Sequence, residues 1–359
     1  MNRMHIATPQ QRIQARQLGE RQARMSLVQV LCAISILRTA LTRIVPAAGG
    51  AAWWTALVAL LPGVAVFLLA VLAMRLTHTA TLMELVRRCL GRTGVWLLSG
   101  TLAAALLLDG ASTLTALLTL FTQGLGTRGT QTTLALLTGG ALCLCLNREG
   151  LARGVVLLRW VLLTGTAVVA ALLLPALRTD HFFPLQGGGM ATVGEALRAG
   201  ASLSWPLLLL LTLPRGKAPR LASACPVVLG VLAALLLICL SIPGSLLGGA
   251  STLAESLMLP ARYLPPALRL LVYCLLMLGF FLAVAADVQL GTEALGVPLG
   301  RVPRWLPWAG LTLLVAVHML EVQCLWDALT ALSPWLLLPL AALTAACLAL
   351  AARPPERTR

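Results

Sequence analysis

Apolar runs of about twenty residues recur from one end of this 359-residue chain to the other, separated by short polar connections. About twenty such residues in a helix match the roughly 30 Å hydrocarbon core of a bilayer. With no water there to bond the backbone, a run of this length is stable only as a helix that satisfies its own N–H and C=O groups. The pattern predicts an all-α polytopic membrane protein with about ten transmembrane helices. The runs lie at approximately 25–45, 51–74, 94–121, 130–146, 154–177, 196–213, 222–246, 266–290, 305–325 and 331–352. The balance of residues agrees: 59% are hydrophobic and 11% charged, against about 25% charged in a typical soluble domain. No connection is long enough to form a separate soluble domain.

The formal charge of +15 raises the possibility of a nucleic-acid partner, which the placement of the charge excludes. Cytoplasmic loops of membrane proteins carry an excess of Lys and Arg. With the N-terminus inside, the inner segments hold Arg3, Arg12, Arg16, Arg21, Arg24, Arg75, Arg87, Arg88, Arg92, Arg148 and Arg153. They continue with Arg215, Lys217, Arg220, Arg301, Arg304, Arg353, Arg357 and Arg359, while the outer loops hold Arg128, Arg178 and Arg262. The alternation predicts a multi-pass protein of the cytoplasmic membrane, or of a spore's inner membrane. It puts both termini in the cytoplasm, with residues 1–24 and 353–359 as tails.

Catalytic and metal chemistry find no footing. There is no G-x-S-x-G, Walker loop or H-E-x-x-H, and no carboxylate pair at a useful spacing. Four histidines are scattered along the chain. Cys143 and Cys145 form a C-x-C, but no second pair or histidine cluster completes a metal site. The other cysteines read as small buried hydrophobes. The expectation is a non-enzyme without a cofactor or metal.

Two connections are more than turns. Residues 76–93 read as a short amphipathic inner helix, and "STLAESLMLP" within 247–265 reads as a short outer helix. Ten spans also divide into five and five. Many transporters consist of two such halves of inverted topology, with the first helix of each half discontinuous near the membrane midplane. The sixth run contains Pro206 after Gly200, Ser202 and Ser204. A proline inside a helix removes a backbone donor and opens the turn. The first run carries Arg38 and ends at Pro46. Both runs are expected to be broken.

Four stretches resemble one family. They are "HTATLMELVRRCLGRTGVWLLSG" (78–100), "LNREGLARGVVLLRWVLL" (146–163, with Gly150 and Arg159), "FFPLQGGGMATVGEALRAGASLSWPLLLLLTLP" (182–214) and "LSPWLLLPLAALTAACLALA" (332–351). Together they are similar to the spore germination permeases, the B subunits of GerA-type germinant receptors, within the amino acid–polyamine–organocation superfamily. The resemblance implies a LeuT-like 5+5 inverted-repeat fold with a small-molecule germinant site among the first, third, sixth and eighth spans. It implies germinant receptor A and C subunits as partners, and an amino acid or similar small molecule as the germinant. Two departures stand out: "AISILRTALTR" lacks the glycine common in the family's first span, and five leucines follow Pro206 where an acidic residue is frequent. A cation-coupled amino acid transporter of the same fold, and a structural membrane subunit with no ligand, are the competing readings.

Arg38 is the residue that most needs explanation. It lies 13 residues after Met25, about 20 Å along a helix, where an unpaired charge is expensive. Asp109 sits at a similar depth in the third span, which runs in the same direction. Arg38 either pairs with Asp109 or, with Thr39 beside it, faces the cavity and binds a ligand carboxylate through a forked hydrogen bond. Opened backbone around Ala201, Ser202, Ser204, Trp205 and Pro206 is a candidate ligand surface. Asp287 reads as a charge near the inner end of the eighth span, with an ion or proton site as the alternative. Arg43 reads as an outer-interface anchor. His318 and Glu321, three apart on one helical face, read as an interfacial pair.

Overall fold

The computed structural model describes residues 9–124, 140, 148–182, 189–199, 203–213, 220–242, 247, 266–300, 302–303, 305–319 and 337–351. Among these residues the regular structure is helical, with no strand. Five stretches are long and apolar enough to cross a membrane: Gly19–Leu76, Leu82–Phe121, Gly154–Leu173, Ala224–Ser241 and Arg269–Leu299. A shorter apolar helix covers Leu338–Leu350.

The first stretch is too long for one crossing: its 58 residues would extend about 87 Å at 1.5 Å per residue. Helix α1 (Pro9–Thr39) continues through a π-helical segment, Ala40–Ile44, into the short α2 (Val45–Ala48). The chain then turns at Gly49, whose φ of 54° and ψ of −125° suit glycine. After a 3-10 turn at Gly49–Ala51, α3 runs Ala52–Leu76. The apolar runs expected at 25–45 and 51–74 are therefore two helical segments joined by a turn.

Helix α4 (Leu82–Gly124) contains a break at Gly91, with φ 68° and ψ −154°. The break separates the expected inner helix from the apolar run expected at 94–121. Thr81 starts the inner helix: its Oγ1 accepts from the Glu84 N–H at 3.1 Å, and a Glu84 carboxylate oxygen accepts from the Ala80 N–H at 2.7 Å. This reciprocal arrangement resembles a capping box and satisfies donors that a helix start leaves free. Arg88 reaches back to the Thr77 carbonyl at 2.5 Å.

The remaining helices are α5 (Arg148–Leu173), α6 (Met190–Ala199), α7 (Arg220–Ser241), α8 (Pro266–Leu299), α9 (Leu306–Met319) and α10 (Leu337–Ala351). Between α6 and α7 a 3-10 segment covers Trp205–Leu211, and all seven of its residues are buried. Helices α4 and α8 form the most extensive pair. Helix α1 packs against α5, α7, α8 and the 3-10 segment, and α10 packs on α3 and α4. The expected fourth span (130–146, apart from Gly140), the outer helix at 247–265 (apart from Leu247) and the His318–Glu321 pairing lie outside the described residues.

One expectation is corrected here. The first span is not broken at Arg38: α1 is continuous through Thr39, and the π segment after it keeps helical dihedrals at both of its caps. The physical reason is in "AISILRTALTR", which offers neither a glycine nor a proline to open the ladder. The helix widens instead of breaking. The Thr42 hydroxyl bonds the Arg38 carbonyl at 2.9 Å just where the π segment lies.

Candidate functional site: a buried charge cluster between three helices

Cys32, Ser35 and Arg38 follow one another at three-residue intervals, so α1 aligns them along one face. Opposite them, α4 presents Asp109. Arg38 Nη2 donates to Asp109 Oδ1 at 2.6 Å, and the Ser35 hydroxyl donates to Oδ2 of the same carboxylate. Arg38, Thr39 and Asp109 are each 6% exposed. The carboxylate thus has a charged and a neutral donor, one on each oxygen. Arg38 Nε is buried with no hydrogen-bond partner among the described residues. The Thr113 hydroxyl bonds the Asp109 carbonyl at 2.8 Å, one turn along α4. The sequence placed Arg38 and Asp109 at equal depth, and the structure brings them into contact.

Asp287, on α8, is the second acid of the cluster. It is fully buried, and both carboxylate oxygens lack a hydrogen-bond partner among the described residues. It lies within electrostatic reach of Asp109 and Arg38. Its reading as an inner-end interfacial charge is therefore corrected. Helix α8 extends to Leu299, beyond the expected limit of 290, so Asp287 stands well inside the helix rather than at its end. Gly110 makes its placement possible: a Cβ there would lie 3.2 Å from the Asp287 Cβ. The cluster holds the Arg38 guanidinium and two carboxyl groups, and Arg43 lies within electrostatic reach of Asp109 and Arg38. One acid is satisfied and the other is not.

The 3-10 segment closes the site from another side. Cys32 Sγ contacts the Pro206 carbonyl at 3.0 Å in hydrogen-bonding geometry, so this 3-10 segment meets α1 one turn from Ser35. Trp205 is buried, and Ser204 is fully buried with its hydroxyl unpartnered among the described residues. Ser204 rests on Gly63 of α3, where an added Cβ would lie 2.7 Å from the Ser204 carbonyl oxygen. Pro62, just before it, cannot donate to the carbonyl four residues back, which loosens α3 at the point of contact. Ser202 lies outside the described residues.

Sequence reasoning missed Ser35, Cys32, Gly63 and Gly110. Ser35 was legible as the residue one turn before Arg38. The two glycines carry no signal without knowledge of the opposing helix. No group of three or more metal-ligating side chains occurs among the described residues. No family model and no curated protein matches this chain.

Proposed function

We propose that this chain is a membrane subunit of a spore germinant receptor that binds a small amino-bearing molecule, with binding linked to uptake of a cation at Asp287. The observation that carries the reading is Asp287 itself, a carboxyl group enclosed by protein, with no hydrogen-bond partner among the described residues, beside the Arg38–Asp109 ion pair. An isolated buried charge is too costly to leave uncompensated. The position calls for a cation: a proton, a metal ion or a ligand ammonium group. The germinant assignment rests on the four family-like stretches. It is supported by the contacts of α1 with α4, α8 and the Trp205–Leu211 segment, which are parts of the four spans expected to surround the ligand.

In this reading Arg38 is a structural partner of Asp109 rather than a ligand clamp, because its Nη2 is already committed. The ligand surface is then the segment at Ser204, Trp205 and Pro206, where the Ser204 hydroxyl, without a partner among the described residues, supplies a polar group. A ligand signals to partner subunits only if it binds one of two bundle conformations more tightly. The expected ten-span LeuT-like arrangement, the cytoplasmic termini and the A and C partner subunits belong to this same proposal.

The test uses purified full-length protein in lipid nanodiscs and a panel of radiolabelled amino acids, with sodium and pH varied. The expected result is saturable binding of at least one amino acid, with a cation dependence that Asp287→Asn removes. Unchanged binding and cation dependence in Asp287→Asn would remove Asp287 from the site, and no binding by any panel member would sink the receptor reading. The same unpartnered acid also suits a cation-coupled transporter. Proteoliposomes decide between the two: accumulation against a gradient would replace sensing by transport.

A further inference from the structure

A different stripe of α1 from the charge cluster, Val30, Ala33, Ile34, Leu37 and Leu41, lines a groove of ≈ 390 Å³ shared with α5, α7 and α8. Its walls are hydrocarbon, and Arg159 and Thr166 are the polar side chains on it. Small-molecule sites occupy about 300–1,000 Å³ and are mostly apolar with few polar groups. The groove lies on a flank of the bundle that faces outward: Trp160, Val161, Leu163, Val168 and Leu172 of α5 are exposed. In a membrane, that flank meets acyl chains.

Arg159 gives the groove a chemical end. Its Nη1 donates to the Ser26 hydroxyl at 3.1 Å, and its guanidinium carbon lies 5.4 Å from the centre of the Trp160 ring. Its Nε is buried without a hydrogen-bond partner, and no carboxylate lies within ion-pair distance of it among the described residues. Ser26 is two residues from Arg24, at the end of α1 that carries Arg16, Arg21 and Arg24. A tryptophan beside a basic residue is typical of the membrane–water interface. The arginine therefore stands at interfacial depth, held from two sides, with a donor left over.

We infer that the groove binds one anionic phospholipid, its phosphate on Arg159 and an acyl chain along the stripe from Val30 to Leu41. A guanidinium suits a phosphate by charge and by its fork of donors. Basic residues near a membrane surface favour anionic over zwitterionic lipid. A water-soluble ligand would find almost no polar partner along the walls. The inference needs the membrane but not the germinant reading.

Native mass spectrometry of the full-length protein, released from detergent containing phosphatidylglycerol or phosphatidylcholine, tests it. Wild type is expected to retain one phosphatidylglycerol, and Arg159→Gln to lose the preference for it by at least about fivefold, while Arg159→Lys keeps part of it. Gly230→Leu is the second variant. Gly230 lines the groove, and a Cβ there meets nothing within 4 Å, so a side chain can start from this position and extend into the groove. It is expected to reduce retention of both lipids with the melting temperature unchanged. An Arg159→Gln protein that keeps its preference overturns the proposal. So does full retention in Gly230→Leu, or a second copy of the chain bound in place of lipid.

Discussion

Replacing Arg38 by Met keeps most of the apolar stem and removes the charge. The wild-type cluster sets one cation in direct contact, Arg38, against two acids, Asp109 and Asp287, with Arg43 within electrostatic reach of Asp109. Arg38→Met leaves two acids with no cation in contact, Arg43 acting on Asp109 only through the field, and the Asp109 oxygen that accepted at 2.6 Å loses that donor. Removing one partner of a buried ion pair costs about 3–5 kcal/mol. Asp109→Asn acts on the other side of the pair with the opposite outcome for charge, since Arg38 and the nearby Arg43 then face one acid. It loses a charge-assisted hydrogen bond, worth about 1.5–3 kcal/mol. The amide oxygen still accepts from Ser35 or Arg38. The two single variants should therefore differ by about 1–2 kcal/mol, with Arg38→Met the worse. Adding Asp287→Asn to Arg38→Met should recover stability, because it removes one of the two stranded acids. The assay is the unfolding midpoint of the purified protein in mixed micelles, read on all variants as a double-mutant cycle. Equal loss in Arg38→Met and Asp109→Asn, or no recovery from Asp287→Asn, would refute the reasoning that net charge in the cluster decides.

Three further outcomes follow from contacts elsewhere. Gly63→Ala puts a Cβ 2.7 Å from the Ser204 carbonyl; it should cost about 1–3 kcal/mol and weaken ligand binding, measured by melting and by radioligand saturation. Gly91→Ala meets no neighbour within 4 Å but keeps φ at +68°. The cost, about 1–3 kcal/mol, is therefore backbone strain, and because ψ is −154°, outside the left-handed helical region that asparagine tolerates, Gly91→Asn should lose as much as Gly91→Ala in the same melting assay. The Arg24–Glu293 ion pair ties α1 to α8, with the Arg24 side chain 46% exposed. Arg24→Gln should shift stability by less than about 1 kcal/mol, and a larger loss would show the pair to be shielded from solvent.

The sequence by itself determined the solvent and the elements. Runs of apolar residues as long as a bilayer core require helices, and the polar stretch 76–93 marks an inner helix apart from the run at 94–121; that the break falls at Gly91 came from the structure. The sequence also matched Arg38 to Asp109, because depth along a helix is fixed by counting residues and an unpaired charge is expensive at that depth. Only the tertiary structure decided the surroundings of Asp287. Hydropathy cannot tell a face buried against protein from one facing lipid, since acyl chains are as apolar as leucine side chains. The same limit hid Gly63 and Gly110, whose role is to admit Ser204 and Asp287 from other elements. The first span stayed whole for a local reason, the absence of glycine and proline around Arg38.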